Sequence, residues 1–329
     1  MINKDMSFTN FFKNKNVLVT GGTGLIGRQL VSKLCDLSCN VISVSMDDLV
    51  LDSRAKYIKS DLTLLSNCLE VTKGMDIVLH VAGIKGSIDV TKSKPASFMV
   101  PMLMFNTNIL EASNFNKIEH LVFTSSIGAY SSSEIFIEKD IEETDAPMDF
   151  YPGWAKRVAE LQISAYKEQY GINWGIVRPS NIYGPGDNFD EKSAMVIPSL
   201  MSKIFKKQLP LKVWGDGSSV RDFAYSGDVA DGILQSVYYK PKSKYLNIGS
   251  GSGITIKDLI SSLKSVVEFE YEFDLTKSNG FPKRVMNIDR AKSEIHYLPK
   301  TSINEGLKLT WDWFVENNKE YLKRQNYFK

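Results

Sequence analysis

The sequence predicts an α/β fold in which a doubly wound parallel sheet is covered by helices on both faces. Short β-branched segments alternate with longer segments of helical spacing, and a glycine-rich turn follows the first β segment. Strands separated by helices form βαβ units, whose strands run parallel. The predicted strands are residues 16–20, 40–45, 57–59, 76–80, 120–124 and 173–178. The predicted helices are residues 25–37, 62–72, 95–114 and 154–170.

The pattern changes after Arg178. A turn-rich loop at 181–188 precedes a predicted helix at 194–207. Residues 220–224 and 244–248 are predicted to be strands that return to the large sheet, with a helix at 227–239 between them. We therefore expect a main domain and a smaller lobe that are interleaved in sequence. The main domain is residues 15–180 and 220–248, and the smaller lobe is residues 181–219 and 249–329.

Composition excludes several classes of protein. The chain has 329 residues, of which 40 are Lys or Arg and 38 are Asp or Glu, so its net charge is only +2. Nucleic-acid and membrane-surface proteins usually carry a clustered basic excess. Residues 1–15 lack the apolar stretch of a secretory signal and predict a short arm before the first strand, and no segment has the roughly 20 apolar residues of a membrane span. We expect a cytoplasmic protein with no nucleic-acid or membrane partner.

The metal-binding side chains are few and scattered. Three cysteines and three histidines lie apart in the sequence, whereas zinc usually takes three or four N or S ligands. An odd number of cysteines also suits a reducing compartment. We therefore predict no metal site.

The turn after the first strand has the pattern of a phosphate-binding loop. Gly21 permits a tight turn, Gly24 lets the backbone approach a pyrophosphate, and Gly27 allows the helix to pack closely on the strand. The amino end of the following helix then offers free N–H groups and a partial positive charge. The strand–turn–helix context makes an ordinary turn improbable and predicts a dinucleotide cofactor. The residues predicted to contact it are Gly21, Thr23, Gly24, Leu25, Ile26 and Gly27.

The choice between NAD and NADP depends on the end of the second strand. An acidic residue there normally binds the adenosine ribose, and Ser45 occupies that position. Asp47 follows closely and would repel a 2′-phosphate, whereas Arg28 would attract one. The alternative is that Asp47 and Asp48 are solvated turn residues. The balance favours NAD over NADP.

Asp61 and Leu62 follow the third strand and are placed to meet the adenine of the cofactor. The alternative for Asp61 is the N-cap of the next helix, and both roles are compatible.

Several motifs together resemble the extended short-chain dehydrogenases of the NAD-dependent epimerase/dehydratase family, which have a Rossmann fold and act on nucleotide sugars. The similarity runs from about residue 16 to residue 297. Within that family the loop 184–189, with Val196-Ile197-Pro198 and Val213-Trp214-Gly215, looks most like GDP-L-fucose synthases. The motifs are the 21–27 loop, Asp61-Leu62, His80-Val81-Ala82-Gly83, Thr124-Ser125-Ser126 with Tyr130, the segment 178–185, Arg221-Asp222-Phe223 and the segment 247–251.

The resemblance implies roles for individual residues. Ser126 would bond the C4 oxygen of the sugar, and Lys156 would bind the nicotinamide ribose and lower the pKa of a catalytic phenol. Arginine suits a diphosphate because its guanidinium presents a fork of donors, and tryptophan can stack on a base. The implied further cofactor contacts are Val81, Ala82 and Gly83. The implied substrate contacts are Ser126, Asn181, Val196, Trp214 and Arg221.

The catalytic tyrosine departs from the family pattern. In the family it lies four residues before the lysine, but Pro152 stands there and Tyr151 is five residues before Lys156. Five helical residues turn a side chain by about 140°. Pro152 fits a first helical position, so Tyr151 would lie at or before the helix start and could escape that rotation. Either Tyr151 supplies the phenol, or the base is missing and Tyr151 only lines the pocket.

Two further departures concern the acid–base pair of GDP-L-fucose synthases, a Cys and a His that epimerise C3 and C5. Gly128 and Gly186 stand at these positions. Glycine has no titratable group, so this epimerisation is expected to be absent unless other residues replace them. The sequence favours oxidation, reduction or epimerisation at C4.

Several other residues have competing interpretations. Lys85 lies at the carboxyl edge of the sheet and is a candidate substrate contact, against the alternative of a solvated lysine. Lys283 and Arg284 are candidates for phosphate contacts from the smaller lobe, against the same alternative of solvated side chains. His80 ends a buried strand and is predicted to be a packed histidine.

The leading hypothesis is therefore an NAD(P)-dependent oxidoreductase or epimerase for a nucleotide-diphosphate sugar, expected to be GDP-linked, in cell-surface polysaccharide or deoxysugar biosynthesis. An alternative is an NAD(P)-binding sensor or scaffold without catalysis, which Pro152 would explain. A dehydratase is disfavoured because Ile127 and Gly128 do not supply the Asp-Glu pair that follows the serine in such enzymes. The helices at 95–114 and 154–170 correspond to the dimer interface of the family, so we expect a homodimer.

Overall fold

The computed structural model describes residues 6–139 and 144–321. The strands in chain order are β1 (Asn16–Thr20), β2 (Asn40–Ser45), β3 (Lys56–Lys59), β4 (Ile77–His80), β5 (His120–Thr124), β6 (Ile135–Phe136), β7 (Gly175–Pro179), β8 (Asn181–Tyr183), β9 (Leu211–Trp214), β10 (Val220–Arg221), β11 (Phe223–Tyr225), β12 (Leu246–Ile248), β13 (Ile254–Thr255), β14 (Tyr271–Asp274) and β15 (Lys283–Met286). The helices are α1 (Met6–Phe12), α2 (Gly27–Asp36), α3 (Leu65–Thr72), α4 (Ile88–Ser93), α5 (Pro95–Phe115), α6 (Phe150–Tyr170), α7 (Val196–Phe205), α8 (Ser226–Tyr239), α9 (Ile256–Lys264), α10 (Asp289–Ile295) and α11 (Ile303–Tyr321).

A seven-stranded parallel sheet with the order β12-β7-β5-β4-β1-β2-β3 forms the centre of the molecule. The predicted doubly wound fold is thus confirmed. The chain first adds strands outward from β1 to β3 and then returns to place β4 on the other side of β1. Ligands of such sheets bind at the carboxyl ends of the strands where the order reverses. Here that position lies between β1 and β4.

One expected strand divides in two and leaves the large sheet. Residues 220–224 form β10 and β11, which belong to two smaller sheets. The cause is Asp222 between them, whose buried carboxylate accepts hydrogen bonds from Ser180 Oγ, from the Ser250 amide and hydroxyl, and from the Met286 amide. The hydrogen bonds to this carboxylate hold the chain in a turn between β10 and β11. The return to the large sheet is made by β12 alone.

The first residues of the chain also differ from expectation. Part of the predicted arm forms the helix α1, and Phe8 and Phe12 on it are buried against the main core. Phe8 packs edge-on against Tyr238 of α8, with ring centroids 5.1 Å apart. The spacing of these two phenylalanines, four residues, places both on one face of the helix.

Buried side chains form two clusters. The larger one surrounds the seven-stranded sheet and also includes Met286, Ile288 and Tyr297 from late in the chain. The smaller one joins α7, α9 and α11 around residues such as Met201 and Leu259. Helices α3, α5 and α6 pack side by side, as do α2 and α8. No helix within the described ranges has the length and apolar character needed to cross a membrane.

Candidate active site

The loop after β1 has the geometry that a phosphate-binding turn needs. Gly21 has a positive φ of 67°, and a Cβ on it would lie 2.9 Å from Ala82 Cα. A Cβ on Gly27 would lie 2.1 Å from Gly21 O, so no larger residue fits without a shift. A Cβ on Gly24 would meet only Gly21 O, at 3.1 Å. The outer side of the loop at Gly24 is therefore open to a ligand, as a pyrophosphate requires.

The end of β2 lies directly against this loop. The Thr23 amide donates to Ser45 Oγ at 3.2 Å, and the Thr23 hydroxyl donates to Asp47 Oδ2 at 3.0 Å. Asp48 instead pairs with Lys59 at 2.6 Å, and both of these side chains are exposed. Asp47 is thus a part of the loop structure and not only a solvated turn residue. Helix α2 begins at Gly27, so Leu25 and Ile26 belong to the turn that precedes it.

Arg28 lies between the phosphate loop and α11. Its guanidinium lies 4.8 Å from the ring centre of Trp313 in α11, and Nη2 donates to the Thr23 carbonyl at 3.3 Å. A Cβ on Gly186 would lie 2.1 Å from Arg28 Cζ. The space beside Gly186, where the resemblance places a histidine, is therefore filled by this guanidinium.

Asp61 forms a local turn and does not cap α3. Its Oδ1 accepts bonds from the Thr63 amide at 2.9 Å and the Thr63 hydroxyl at 2.8 Å. The residue before α3 is Leu64, with no side-chain cap. Leu62 is buried beside Asp61 at the carboxyl end of β3. The adenine contact predicted for Asp61 and Leu62 remains a prediction.

His80 at the end of β4 is a packed histidine, as expected. Its Nδ1 lies 2.7 Å from Thr20 Oγ1, and its Nε2 lies 2.9 Å from Asn106 Oδ1. Since Thr20 Oγ1 accepts the Ala82 amide, a neutral ring with its proton on Nε2 satisfies both contacts. Burial, aided by the charge of Lys156, lowers the pKa of His80 to about 3. The ring thus ties β1 to β4 just below Val81, Ala82 and Gly83.

Ser126 and Lys156 both lie at the carboxyl end of β5. Lys156 is buried and donates from Nζ to the Thr124 carbonyl at 2.7 Å. A Cβ on Gly83 would lie 3.8 Å from Lys156 Nζ, which places the lysine beside the loop after β4. Burial lowers the pKa of Lys156 to about 8, and the nearby Glu160 opposes this effect. Ser126 Oγ accepts the Gly128 amide at 3.0 Å.

Tyr151 does not escape the helical rotation. Helix α6 begins at Phe150, so Tyr151 is its second residue and Pro152 its third. Proline fits there because the first four N–H groups of a helix have no intrahelical partner. The Tyr151 side chain is therefore turned about 140° from that of Lys156. It is 41% exposed and its ring packs on Phe150, whereas Lys156 is buried.

The structure places Asp149, which no sequence motif marked, at the site. A Cβ on Gly128 would lie 2.3 Å from Asp149 Oδ2. This carboxylate therefore takes the space beside Gly128 where the resemblance places a cysteine. The signal available in the sequence was the seven-residue spacing between Asp149 and Lys156, because residues seven apart would lie on the same face of a helix.

The substrate-side candidates lie on the smaller sheets. Arg221 on β10 and Arg284 on β15 are register partners of neighbouring parallel strands, so their side chains share one face. Lys283 is the register partner of Val220, and its side chain points to the opposite face from Arg284. The sequence offered both Lys283 and Arg284 as phosphate contacts, and the register brings Arg284 next to Arg221.

The remaining substrate-side candidates lie on different elements of the structure. Asn181 Nδ2 donates to the Asp222 carbonyl at 2.9 Å, at the start of β8. Val196 is the first residue of α7 and is exposed, and Trp214 ends β9 with 60% of its surface exposed. Lys85 donates to Asp187 Oδ1 at 2.9 Å and to the Ile182 carbonyl at 3.2 Å.

No cluster of three or more His, Cys, Asp or Glu side chains suited to a metal ion occurs among residues 6–139 and 144–321. The three cysteines are free, with Cys68 buried and the other two half-buried.

A family model described as the NAD dependent epimerase/dehydratase family matches residues 17–249. A GDP-L-fucose synthase from Sinorhizobium fredii is 28% identical over 312 residues, covering 92% of this chain and 96% of that protein. The crystal structure of UDP-glucose 4-epimerase from Thermotoga maritima with UDP-glucose has a TM-score of 0.80 at 26% identity, covering 92% and 99% of the two chains. A UDP-glucose 4-epimerase of Thermus thermophilus in complex with NAD has a TM-score of 0.74 at 25% identity, covering 91% and 99%.

The buried His80 makes stability depend on pH. Its pKa is about 3 in the folded protein, below its usual 6.5, so the unfolded chain binds the proton first as the pH falls. Stability contributed by neutral His80 is complete above pH 6.5 and is lost on acidification towards pH 3. We expect His80→Gln to reduce the slope of unfolding free energy against pH by up to about 1.4 kcal/mol per pH unit.

Urea unfolding at several pH values measures this slope. Thr20→Val is the matched control, because it removes a hydrogen bond to the ring but leaves the titrating group in place. It should lower stability and keep the wild-type slope. Equal slopes for wild type and His80→Gln would contradict the linkage.

Proposed function

This chain belongs to the NAD-dependent epimerase/dehydratase family, and on that premise we propose that it oxidises, reduces or epimerises a nucleotide-diphosphate sugar at C4. The observation that supports the proposal is that the open loop at Gly24, Ser126 and Lys156 all belong to the carboxyl edge of one parallel sheet. We further propose a role in cell-surface polysaccharide or deoxysugar biosynthesis. In this proposal residues 15–180 and 220–248 form the domain that holds the cofactor. Residues 181–219 and 249–329 form the lobe that binds the substrate, together with Ser126, Lys85 and Arg221 of the cofactor domain.

The residues at the β1–β4 crevice fit a nicotinamide dinucleotide. The open backbone at Gly24 accommodates the pyrophosphate, and the amino end of α2 offers it N–H groups. Lys156 would donate to the nicotinamide ribose, and the loop 81–83 would line the ring. When bound, the nicotinamide accepts or returns a hydride. Ser126 would hold the reacting sugar oxygen in position.

We propose NAD as the preferred cofactor. Asp47 accepts a hydrogen bond from Thr23 and keeps a negative charge beside the phosphate loop, where a 2′-phosphate would have to lie. Arg28, the residue that could offset this charge, stacks on Trp313. Like charges at such close range disfavour binding.

Replacing Asp47 by Asn should shift the cofactor preference towards NADP. The Asn oxygen can still accept the Thr23 hydroxyl, while the charge that repels the 2′-phosphate is lost. We expect the ratio of the NADP and NAD dissociation constants to change about tenfold, equivalent to about 1.4 kcal/mol. Calorimetric titration with both cofactors measures it.

Asp48→Asn is the control, because Asp48 pairs with Lys59 at the surface and should leave the ratio unchanged. Equal effects of both substitutions, or tighter NADP than NAD binding by the wild type, would contradict the preference for NAD.

Arg221 and Arg284 are proposed to bind the diphosphate of the substrate. They lie side by side on β10 and β15. Burial lowers the pKa of both guanidinium groups, and the charge of Arg284 lowers that of Arg221 further, as expected for cations held close together. Arg221 Nη1 is positioned by the carbonyls of Val220 and Phe281. Two adjacent guanidinium groups can engage the oxygens of both phosphates.

Around this pair, Trp214 would stack on the base, and Asn181 would bond the diphosphate end of the substrate. Val196, Lys85 and Lys283 are proposed as further contacts on the rim. A GDP-linked sugar is proposed as the substrate because of the loop 184–189.

Arg221→Gln and Arg284→Gln should each weaken nucleotide-sugar binding by at least about tenfold, since each removes a charge-assisted contact. NAD affinity should stay within about twofold. Calorimetry with GDP-mannose, UDP-glucose and dTDP-glucose measures substrate binding and identifies the base. Lys212→Gln is the control, because Lys212 on β9 pairs with Glu272 at the surface.

Turnover of the same sugars with NAD tests the activity itself. Cofactor binding without turnover of any sugar would favour the sensor alternative. Unchanged sugar binding in both arginine variants would contradict the diphosphate site.

We propose that α5 and α6 form a homodimer interface. These helices pack side by side, and Val100, Met104 and Leu161 on them are exposed although apolar. Two copies of such a helix pair would bury these side chains in a four-helix arrangement.

Light scattering should show a dimer for the wild type. Leu161→Glu should shift the protein towards monomer, because it would bury a charge at the interface. Lys167→Glu, at the last turn of α6, is the control. A monomeric wild type at working concentrations would contradict the proposal.

A further inference from the structure

Asp149 is the residue before α6, seven positions before Lys156, and its backbone angles (φ −97°, ψ 80°) are not helical. Pro152, four residues before Lys156, has no group that can carry a proton. The Gly153 amide bonds the Asp149 carbonyl at 2.6 Å, so the helical turn closes directly after Asp149.

The Asp149 carboxylate points at the loop that carries Ser126. A Cβ on Gly128 would lie 2.3 Å from Asp149 Oδ2 and 2.8 Å from Cγ, so only glycine at 128 leaves room for it. The Gly128 amide donates to Ser126 Oγ at 3.0 Å, and the Asp149 amide donates to the Gly128 carbonyl at 3.1 Å. These backbone bonds hold the carboxylate beside Gly128, whose amide is bonded to the serine hydroxyl.

No residue in the described ranges forms a hydrogen bond or ion pair with this carboxylate. The Asp149 side chain is exposed to solvent, yet desolvation by the protein around its carboxyl raises the pKa of this group. The charge of Arg284 opposes this effect. A carboxyl that titrates closer to neutral pH and has no structural partner is suited to exchange a proton with a ligand.

The two phenols near the site are less suited to that task. Tyr151 is turned away from Lys156 on the helix and packs on Phe150. Tyr130 is buried and donates its proton to Asn247 Oδ1 at 2.8 Å, with the Arg178 guanidinium 4.2 Å from its ring centre. The Tyr130 hydroxyl is thus already engaged in a structural hydrogen bond.

We propose that Asp149 is the acid–base residue of this site, an inference that rests on the proposed function. In the oxidative direction its carboxylate accepts the proton of the sugar C4 hydroxyl. The C4–H electron pair leaves as a hydride to the oxidised nicotinamide, and a C4 ketone forms. The sugar is oxidised, the cofactor is reduced and Asp149 becomes a carboxylic acid. Reduction of the ketone returns the same proton to C4 oxygen.

The experiment compares Asp149→Asn with Tyr151→Phe in the full-length protein. Single-turnover hydride transfer is followed by nicotinamide absorbance, using whichever of GDP-mannose, UDP-glucose and dTDP-glucose the wild type converts. Asp149→Asn should slow this step by about 10²–10⁴-fold, the usual contribution of general acid–base catalysis. Tyr151→Phe should stay within about threefold. Calorimetry should show NAD and sugar affinities within about threefold of wild type in both variants.

Two further measurements do not depend on the variant's residual activity. In Asp149→Ala, added formate should restore hydride transfer, because a small carboxylate can enter the space beside Gly128. In the protein without cofactor, the infrared carboxyl band that is absent from Asp149→Asn should shift when the nucleotide sugar binds. A merely structural aspartate would give neither result.

The outcomes separate the inference from the proposed function. Hydride transfer by Asp149→Asn at the wild-type rate, or loss of transfer in Tyr151→Phe alone, would overturn the role of Asp149 and leave the proposed function intact. Wild-type protein that transfers no hydride with any of the three sugars would overturn both. Failure of formate to restore Asp149→Ala, with no infrared shift, would also overturn the assignment.

Discussion

The contact between the turn after β1 and the end of β4 is the constraint on which the site depends. Gly21 adopts a positive φ and lies so close to Ala82 that a Cβ would meet Ala82 Cα at 2.9 Å. Thr20 and His80 are hydrogen-bonded just below this point. The contact brings the phosphate loop and the 81–83 loop together at the place where the strand order reverses. Lys156 and Ser126 reach the same crevice from α6 and the end of β5.

A second constraint is the start of α6. Because the helix begins at Phe150, its first turn contains Pro152 at the position where the family resemblance implies a tyrosine, and the Tyr151 side chain points to a different face of the helix. The same start places Asp149 against Gly128. The position of the Asp149 carboxylate therefore depends on the absence of a side chain at position 128. Arg28 fills the space beside Gly186 in a similar way.

The buried carboxylate of Asp222 joins the two groups of elements. It accepts bonds from Ser180, Ser250 and the Met286 amide, which come from three distant parts of the chain. Such a buried charge is tolerated because each of its bonds offsets part of its lost hydration. By ending β10 at Arg221, it also sets the register that brings Arg221 beside Arg284.

Sequence alone determined the parallel sheet and the glycine loop after β1, because these depend on short-range patterns of β-branched residues, helical spacing and glycine. Ser126 and Lys156 were candidates through the resemblance of their motifs to the family. The sequence also showed that a tyrosine was missing from position 152. The tertiary structure decided which carboxylate lies beside Gly128, where Arg28 points, and that Arg284 shares a face with Arg221. These are contacts between residues far apart in the chain, and no local pattern encodes the register or the helix start that produces them.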